Sequence, residues 1–437
     1  MKLKRIFSGI AATAMLAGCL AGCNESEEST VTNVGSSSGG ETKKYENVTL
    51  EMWSISTESD SFHSAYVQAI KDFEASHEGV KVNHQTFENE SYKTKIKAAV
   101  AANELPDVFF SWAGGFSQSF VDSGKVLCLD DYYTAYKDEL SEAALSNIKY
   151  DGKIYGSVMC TPVSCMWYNK KILDDNGCKV PETWEDLEST CKTLKSKNIT
   201  PIATSSKDTW VLAMLHDGLT LKSAGPDKLY KALKKQGVSY SDPDFLASAE
   251  KIRALADMGA FIDGASAISN DEASAEFYAG KAAMYFTGSW MGGSIMTDAE
   301  DPTEFSVAPI PVINSSNAKL TDFMGGGSDS LLVAQSSKTP ELSAELAFEI
   351  SKGVSKYGYL SGAGIPAWKV TYDDSEVPEL TKQVATYANS ATSFTLWFDT
   401  LLESEDAGEY LALLQKLFVG SITAVDFQKE MAAQLEK

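Results

Sequence analysis

An apolar run interrupted by a proline constrains the organisation of this chain more than any other feature. Val158–Tyr168 is too long for one ordinary strand, and Pro162 stands near its centre. Proline has no amide hydrogen to donate to a neighbouring strand, so it is excluded from the middle of a central strand. We therefore predict two short strands joined at Thr161–Ser164, where the chain leaves one folded body and enters another.

The residues before this run have the pattern of an α/β sheet. Apolar strand-like segments begin at Val48, Val80 and Asp107, and apolar residues at helical spacing fill the intervals between them. The order strand–helix–strand–helix–strand is the unit of a doubly wound sheet. Ligands of such sheets bind beyond the carboxyl ends of the strands, which here fall at Trp53–Glu58 and Trp112–Phe116.

The same kind of pattern restarts after Leu173. Thr183 and Asp186 have the spacing of a helix capping box. Strands are predicted near Ile199 and Ala282, with helices between them. This pattern thus predicts a second α/β lobe after the first.

We therefore predict two α/β lobes, each a doubly wound sheet flanked by helices, joined by two or three crossings. The predicted hinge residues are Thr161, Pro162 and Val163 at one crossing and Phe286, Thr287 and Gly288 at another. A third crossing is predicted near Gln335–Lys338. The predicted N-terminal lobe comprises residues 46–160 and 287–336, and the predicted C-terminal lobe comprises residues 161–286 and 337–437.

The N-terminus has the features of a bacterial lipoprotein signal. Lys2, Lys4 and Arg5 precede an apolar segment that is too short to span a membrane. Leu-Ala-Gly-Cys occurs twice, ending at Cys19 and at Cys23, and both resemble the lipobox whose cysteine is acylated. We favour Cys23 because polar residues follow it at once; a plain signal peptide is the alternative.

Composition narrows the class of protein further. Residues 1–22 form the predicted signal peptide, and residues 23–45, rich in Ser, Gly and Glu, form a predicted flexible tether. The net charge of −22 argues against nucleic-acid binding and against direct adhesion to anionic lipid. Five further cysteines have no metal-site spacing, and one disulfide among them is possible but cannot be assigned from sequence. They are Cys128, Cys160, Cys165, Cys178 and Cys191.

Several separated motifs resemble one family, the extracellular sugar-binding proteins of ABC importers that include maltose-binding protein. The most specific pieces are Trp167–Leu173, Val180–Leu187 and Phe277–Met284, followed by Gly288-Ser289-Trp290 and the glycines Gly325–Gly327. The resemblance implies two lobes closing on a ligand by hinge motion. It also implies a lipid-anchored monomer on the extracellular face of the cytoplasmic membrane, which delivers a carbohydrate to permease subunits. We expect this carbohydrate to be an oligosaccharide.

A sugar site needs flat apolar surfaces and a few polar groups. Aromatic and acidic residues at predicted strand ends and loops are therefore the candidate ligand-binding residues, and the resemblance adds Trp112 and Trp290 as stacking positions. The candidates are Trp53, Glu58, Trp112, Asp208, Trp210, Trp290, Asp329, Trp368 and Trp397. Asp329 follows the three glycines, which permit a close backbone approach. Trp167 and Trp184 are predicted to be structural.

Two other functions remain open from sequence. The chain contains none of the common catalytic or phosphate-binding motifs, but a two-carboxylate glycosidase has no fixed spacing that a search could exclude. A protein of the same fold could bind a polyamine or a peptide, and the acidic composition is compatible with a cationic ligand. No metal, cofactor or catalytic residue is expected.

Overall fold

The computed structural model describes residues 43–436 of the protein. The predicted signal peptide and both lipobox cysteines lie outside the described residues, as does most of the predicted tether. The last three tether residues, 43–45, belong instead to the first strand. Within the described range, no helix combines the length and hydropathy that crossing a membrane requires.

The chain builds its N-terminal lobe first and then enters the C-terminal lobe. The first visit contains β1 Lys43–Ser54, α1 His63–Ser76, β2 His77–Thr86, α2 Asn89–Ala102, β3 Val108–Trp112, α3 Gly115–Asp122, α4 Asp130–Tyr133, β4 Lys149–Tyr150, β5 Lys153–Ile154 and β6 Ser157–Val158. The second visit contains β7 Ser164–Asn169, α5 Lys170–Asp175, α6 Trp184–Ser196, β8 Thr200–Ala203, α7 Thr209–Ala224, α8 Pro226–Leu233, α9 Pro243–Asp257, α10 Asn270–Tyr278, β9 Ala282–Gly288, α11 Met291–Asp298, β10 Phe305–Ala308 and β11 Asp322–Met324.

The chain then returns to the N-terminal lobe and finishes in the C-terminal lobe. The return contains β12 Asp329–Val333 and α12 Pro340–Ser361, and the last visit contains α13 Glu379–Asn389, β13 Ser393–Thr395, α14 Phe398–Leu401, α15 Ser404–Phe418 and α16 Ala424–Leu435. Short 3₁₀ turns occupy Ser146–Ile148 and Pro302–Glu304. The predicted capping box of Thr183 and Asp186 is present at the start of α6.

Each lobe is centred on one mixed sheet. The N-terminal sheet has the order β2-β1-β3-β12-β6; its first three strands are parallel, and β12 runs antiparallel to both of its neighbours. The C-terminal sheet has the order β10-β7-β9-β8, in which only β8 and β9 are parallel. The two-lobe α/β fold expected from sequence is therefore present.

The predicted lobe boundaries are wrong at the second and third crossings. Strand β10 pairs antiparallel with β7, so residues 287–324 stay in the C-terminal lobe rather than returning at Thr287. Helix α12 packs on the N-terminal lobe, where Gly353 lies against Ala69 of α1, so the chain does not cross at Gln335–Lys338. It crosses instead between Trp368 and α13.

The predicted hinge residues divide accordingly. Thr161, Pro162 and Val163 lie where the chain first crosses between the lobes. Phe286, Thr287 and Gly288 do not lie at a crossing, because they are buried residues of the central strand β9. The sequence pattern marks the end of a strand at Gly288, but it carries no information about which strand pairs next.

Glycines at the second crossing let two backbones meet. Gly326 N donates a hydrogen bond to Pro162 O at 3.1 Å, and Val163 forms an isolated bridge with Gly325. Gly325 has φ +143°, and a Cβ on it would lie 2.3 Å from Pro162 O. The two crossings are therefore paired side by side, and only glycine fits at position 325.

We expect Gly325→Ala to destabilise the protein by about 2 to 4 kcal/mol, because the added methyl group meets backbone that cannot rotate away. Gly408→Ala is the matched control, since a Cβ at this position in α15 contacts nothing within 4 Å and alanine favours a helix over glycine. Chemical denaturation of both variants measures the difference. Equal stability of the two variants would show that the crossing tolerates a side chain.

Candidate functional site

A deep cleft of about 1960 Å³ lies between the two lobes. Residues from the strand ends and following loops of both sheets line it, as expected for α/β sheets. The cleft is about twice the volume of the largest ordinary small-molecule pockets. It therefore has room for a ligand longer than a single small ring.

Three tryptophans form an aromatic wall on the C-terminal lobe. The ring centroids of Trp210 and Trp290 are 6.2 Å apart, and those of Trp290 and Trp397 are 6.5 Å apart. All three line the cleft, although Trp397 is 6% exposed and Trp290 and Trp210 are more open. They give this lobe a run of three aromatic rings along the cleft.

Local backbone features hold this wall in place. The Trp290 ring lies across Gly288, where a Cβ would come within 2.1 Å of a ring carbon, so glycine is required for this ring position. Trp397 Nε1 donates to Ser164 Oγ at 2.7 Å, which ties the third ring to the start of β7. The wall is thus fixed from both the β9 end and the first crossing.

The opposite wall carries a second aromatic surface, made of Trp112 and Phe116. Their rings meet edge to face, with centroids 5.0 Å apart. Lys93 Nζ lies 5.3 Å from the Trp112 ring centroid, and Lys97 Nζ lies 5.2 Å from that of Phe116. Cation–π contacts of this kind hold the ammonium groups beside the rings.

Two carboxylates stand at the floor of the cleft on the N-terminal lobe. Asp329 Oδ1 accepts a hydrogen bond from Ser328 Oγ at 2.9 Å, and Asp329 Oδ2 lies 3.6 Å from Cys160 Sγ. Asp60 Oδ1 accepts from Phe62 N at 2.9 Å. Burial raises the pKa of Asp60 to about 7 and the pKa of Asp329 to about 6, because a charged carboxylate loses hydration there.

A further group of acids lies near the aromatic walls. Burial raises the pKa of Asp399 to about 6, and the nearby Lys93 opposes this shift. Asp208 also has a raised pKa through burial, and its Oδ2 accepts a 2.6 Å hydrogen bond from Asn270 N. These groups supply hydrogen-bond acceptors beside the aromatic rings.

The structure brings most of the predicted site residues together. Those that line the cleft are Trp112, Asp208, Trp210, Trp290, Asp329 and Trp397. Trp167 and Trp184 are buried in the C-terminal lobe, in agreement with the structural role predicted for them.

Three predicted site residues lie away from the cleft. Trp53 is half-buried beneath Lys95, whose Nζ is 4.2 Å from its ring centroid, and its ring meets that of Phe87 edge to face at 5.6 Å. Glu58 is exposed, although its neighbours on the same loop line the cleft. Trp368 is buried in the N-terminal lobe and donates from Nε1 to Val158 O at 2.9 Å.

Sequence reasoning missed several cleft residues. Asp399 follows Trp397 by two positions, and that proximity is the signal that could have identified it. Phe116 closes the predicted strand-end region Trp112–Phe116 but was not singled out, and Lys93 and Lys97 gave no signal of their own, since α2 meets these rings only in the folded chain. The three glycines before Asp329 were expected to allow a ligand to approach; they serve the crossing, and a Cβ at Gly327 would lie 2.5 Å from Ala144 O.

Residues 43–436 show neither a metal site nor a disulfide. No group of three or more His, Cys, Asp or Glu side chains there is arranged to hold a metal ion. The five cysteines of this range are free thiols. Cys160 is the one that lines the cleft, where burial raises the pKa of its thiol well above the ordinary value.

We expect Asp60→Asn to stabilise the unliganded protein, and the gain to grow as the pH rises from 4 to 8. The pKa of Asp60 is higher in the folded protein, about 7, than in the unfolded chain, about 4. The folded state therefore binds more protons in this window and loses stability as the pH rises through it. The expected gain at pH 8 is about 1 to 2 kcal/mol, less than full linkage because the side chain keeps partial contact with water.

Denaturant unfolding of wild type and variant at pH 4.5 and pH 8 measures this difference. The groups that act on Asp60 are Asp329, Asp271 and His63, all unchanged in the variant. Asp138→Asn, at an exposed acid of the same lobe, is the control. A gain of the same size at both pH values would contradict the assignment.

The comparisons with known proteins agree with this geometry. Residues 58–349 match the family described as bacterial extracellular solute-binding protein. An uncharacterized ABC transporter extracellular-binding protein of Pyrococcus horikoshii is 26% identical over 368 residues, covering 83% of this chain and 81% of its own length. The multiple sugar-binding protein of Streptococcus mutans is 25% identical over 276 residues, covering 62% of this chain and 61% of its own length.

Solved structures have the same fold. One, described under xylan utilization by the thermophilic bacterium Caldanaerobius polysaccharolyticus, has a TM-score of 0.85 and 34% identity, covering 88% of this chain and 99% of its own. A chitin oligosaccharide binding protein has a TM-score of 0.82 and 25% identity, covering 89% of this chain and 98% of its own. Since the family match extends over more than half of the sequence, this protein belongs to the bacterial extracellular solute-binding proteins.

Proposed function

We propose that this protein captures an oligosaccharide in the cleft between its lobes. The observation that carries the proposal is the pair of facing aromatic walls, with Trp210, Trp290 and Trp397 on one lobe and Trp112 on the other. The C–H faces of pyranose rings pack against such surfaces, and the acids between them accept hydrogen bonds from hydroxyl groups. The volume of about 1960 Å³ favours several sugar units over one.

The names of relatives support the same class of ligand. The Streptococcus mutans relative is named a multiple sugar-binding protein, and the two solved structures are described by xylan utilization and by chitin oligosaccharide binding. Others are described in complex with stachyose and with raffinose, at 19% and 20% identity, and these support the fold alone.

The proposed setting is an ABC importer at the extracellular face of the cytoplasmic membrane. The protein is anchored there through an acylated Cys23, or Cys19, and passes its ligand to permease subunits as a monomer. An N-terminal lipid with several chains holds a protein firmly to a bilayer. Cys23→Ser should move the protein from the detergent phase to the aqueous phase on detergent partitioning, and Cys19→Ser should leave it in the detergent phase if Cys23 is the acylated residue.

Binding without turnover is part of the proposal. The cleft acids are dispersed among aromatic groups, and the family to which the chain belongs is one of binding proteins. Incubation with the saccharides below should return each one intact. Release of shorter products would replace this function with that of a glycosidase.

A thermal-shift panel tests the ligand class. Xylotetraose, chitotetraose, raffinose and stachyose form the saccharide arm, and spermidine and a tetrapeptide form the other, because the cleft acids also suit a cation. Binding to the native state raises the melting temperature by mass action. We expect a shift with at least one tetrasaccharide and none with spermidine; the reverse result would favour a polyamine-binding protein.

We expect Trp290→Ala to weaken saccharide binding at least tenfold, about 1.4 kcal/mol, because it removes the central ring of the aromatic wall. Isothermal titration with the best ligand of the panel measures the loss. Trp53→Ala is the matched control, since Trp53 lies outside the cleft. If Trp290→Ala unfolds the protein instead, the ring is part of the core and the aromatic wall carries less of the binding than proposed.

A further inference from the structure

Segment 397–402 contacts both lobes and connects their two aromatic walls. Helix α14 within it belongs to the C-terminal lobe, where Phe398 and Leu401 are buried in the core. Trp397 and Asp399, at its start, line the cleft. The other end of the segment contacts the N-terminal lobe at Gly114 and Gly115, which follow Trp112 closely in the sequence.

The segment is fixed to the C-terminal lobe by a buried carboxylate. Asp217 is fully buried, and its Oδ2 accepts a 2.9 Å hydrogen bond from Phe398 N. Its Oδ1 accepts from the hydroxyl of Tyr410, which also lies 2.9 Å from His216 Nδ1. Removing one partner from such a network leaves a buried polar group unpaired, so the anchor resists movement.

The contact with the N-terminal lobe is made by backbone on both sides. A Cβ on Gly115 would lie 2.0 Å from Leu402 O and 2.8 Å from Leu401 O. A Cβ on Gly114 would lie 2.7 Å from Thr400 O. Any side chain at either position would therefore hold the two lobes further apart.

A second contact closes the mouth of the cleft. Ser59 Oγ, on the N-terminal lobe, lies 3.3 Å from Asp271 Oδ2, on the C-terminal lobe. Both residues are exposed, and both line the cleft. The lobes thus touch at the mouth and at segment 397–402 in the same structure.

We propose that Gly114 and Gly115 are the stop against which segment 397–402 closes, and that this stop sets the distance between Trp112 and Trp397 in the closed protein. The inference rests on the proposed capture of a ligand between the lobes. Its physical basis is that backbone atoms are incompressible and cannot adopt another rotamer, so they define the closed spacing more sharply than side chains do. Gly114 and Gly115 act as positioning residues, through the rings that bind.

Gly115→Ala tests the proposal, because no positive φ at this position adds backbone strain. We expect the midpoint of denaturant unfolding in the absence of ligand to stay unchanged, since the proposal has the two lobes apart at this contact in the open protein. Affinity for the best tetrasaccharide should fall at least tenfold, since the two walls no longer reach their closed spacing. Ser119→Ala, on the same helix α3, should leave both quantities unchanged.

A ligand-independent measurement separates this proposal from the proposed function. Ser59→Cys with Asp271→Cys places two thiols that can form a disulfide only when the mouth closes, and oxidation followed on a non-reducing gel reports the rate. We expect Gly115→Ala to slow this rate at least tenfold and Ser119→Ala to leave it unchanged. If the protein binds no saccharide, the proposed function fails while this rate still tests the stop.

Two outcomes would overturn the stop. A large loss of stability in the ligand-free Gly115→Ala variant would mean that the contact is a permanent part of the fold. Unchanged cross-linking and unchanged affinity would mean that the lobes close at another place.

Discussion

The paired backbone crossing at Pro162–Val163 and Gly325–Gly326 is the constraint on which the rest of this structure depends. It joins the two lobes side by side, and the cleft lies between the strand ends of their two sheets. Proline removes a donor from one crossing, and glycine removes a side chain from the other. Proline and glycine each weaken an ordinary strand. Together they allow the chain to pass between the lobes twice while the two sheets stay separate.

This crossing also determines which residues can meet in the cleft between the lobes. Strands β3 and β9 end on facing sides of the cleft; Trp112 is the last residue of β3, and Trp290 lies in the turn after β9. Segment 397–402 adds Trp397 from a part of the chain more than one hundred residues further on. The aromatic walls therefore depend on how the sheets are arranged, because the segments that carry these rings are far apart in the sequence.

The acids of the cleft give the site its chemical character. Asp60, Asp329 and Asp399 are held where water is scarce, and the described cations of the cleft are lysines beside the aromatic rings and on the loop of Lys207. A ligand rich in hydroxyl groups satisfies such acceptors without adding a compensating charge. This combination of acceptors and flat apolar surface is the physical reason for preferring a saccharide.

The sequence by itself determined the two-lobe α/β fold, the first crossing at Pro162 and the capping box of α6, and six of its nine candidate binding residues line the cleft. These are local features, set by hydrophobic period, backbone restriction and turn chemistry within a few residues. Only the tertiary structure decided the later crossings, because nothing local indicates that β10 pairs with β7 or that α12 packs on α1. The same reason explains why Trp53 and Trp368 lie outside the cleft and Asp399 inside it: the face that a strand or helix presents depends on its partners, and those partners are distant in sequence.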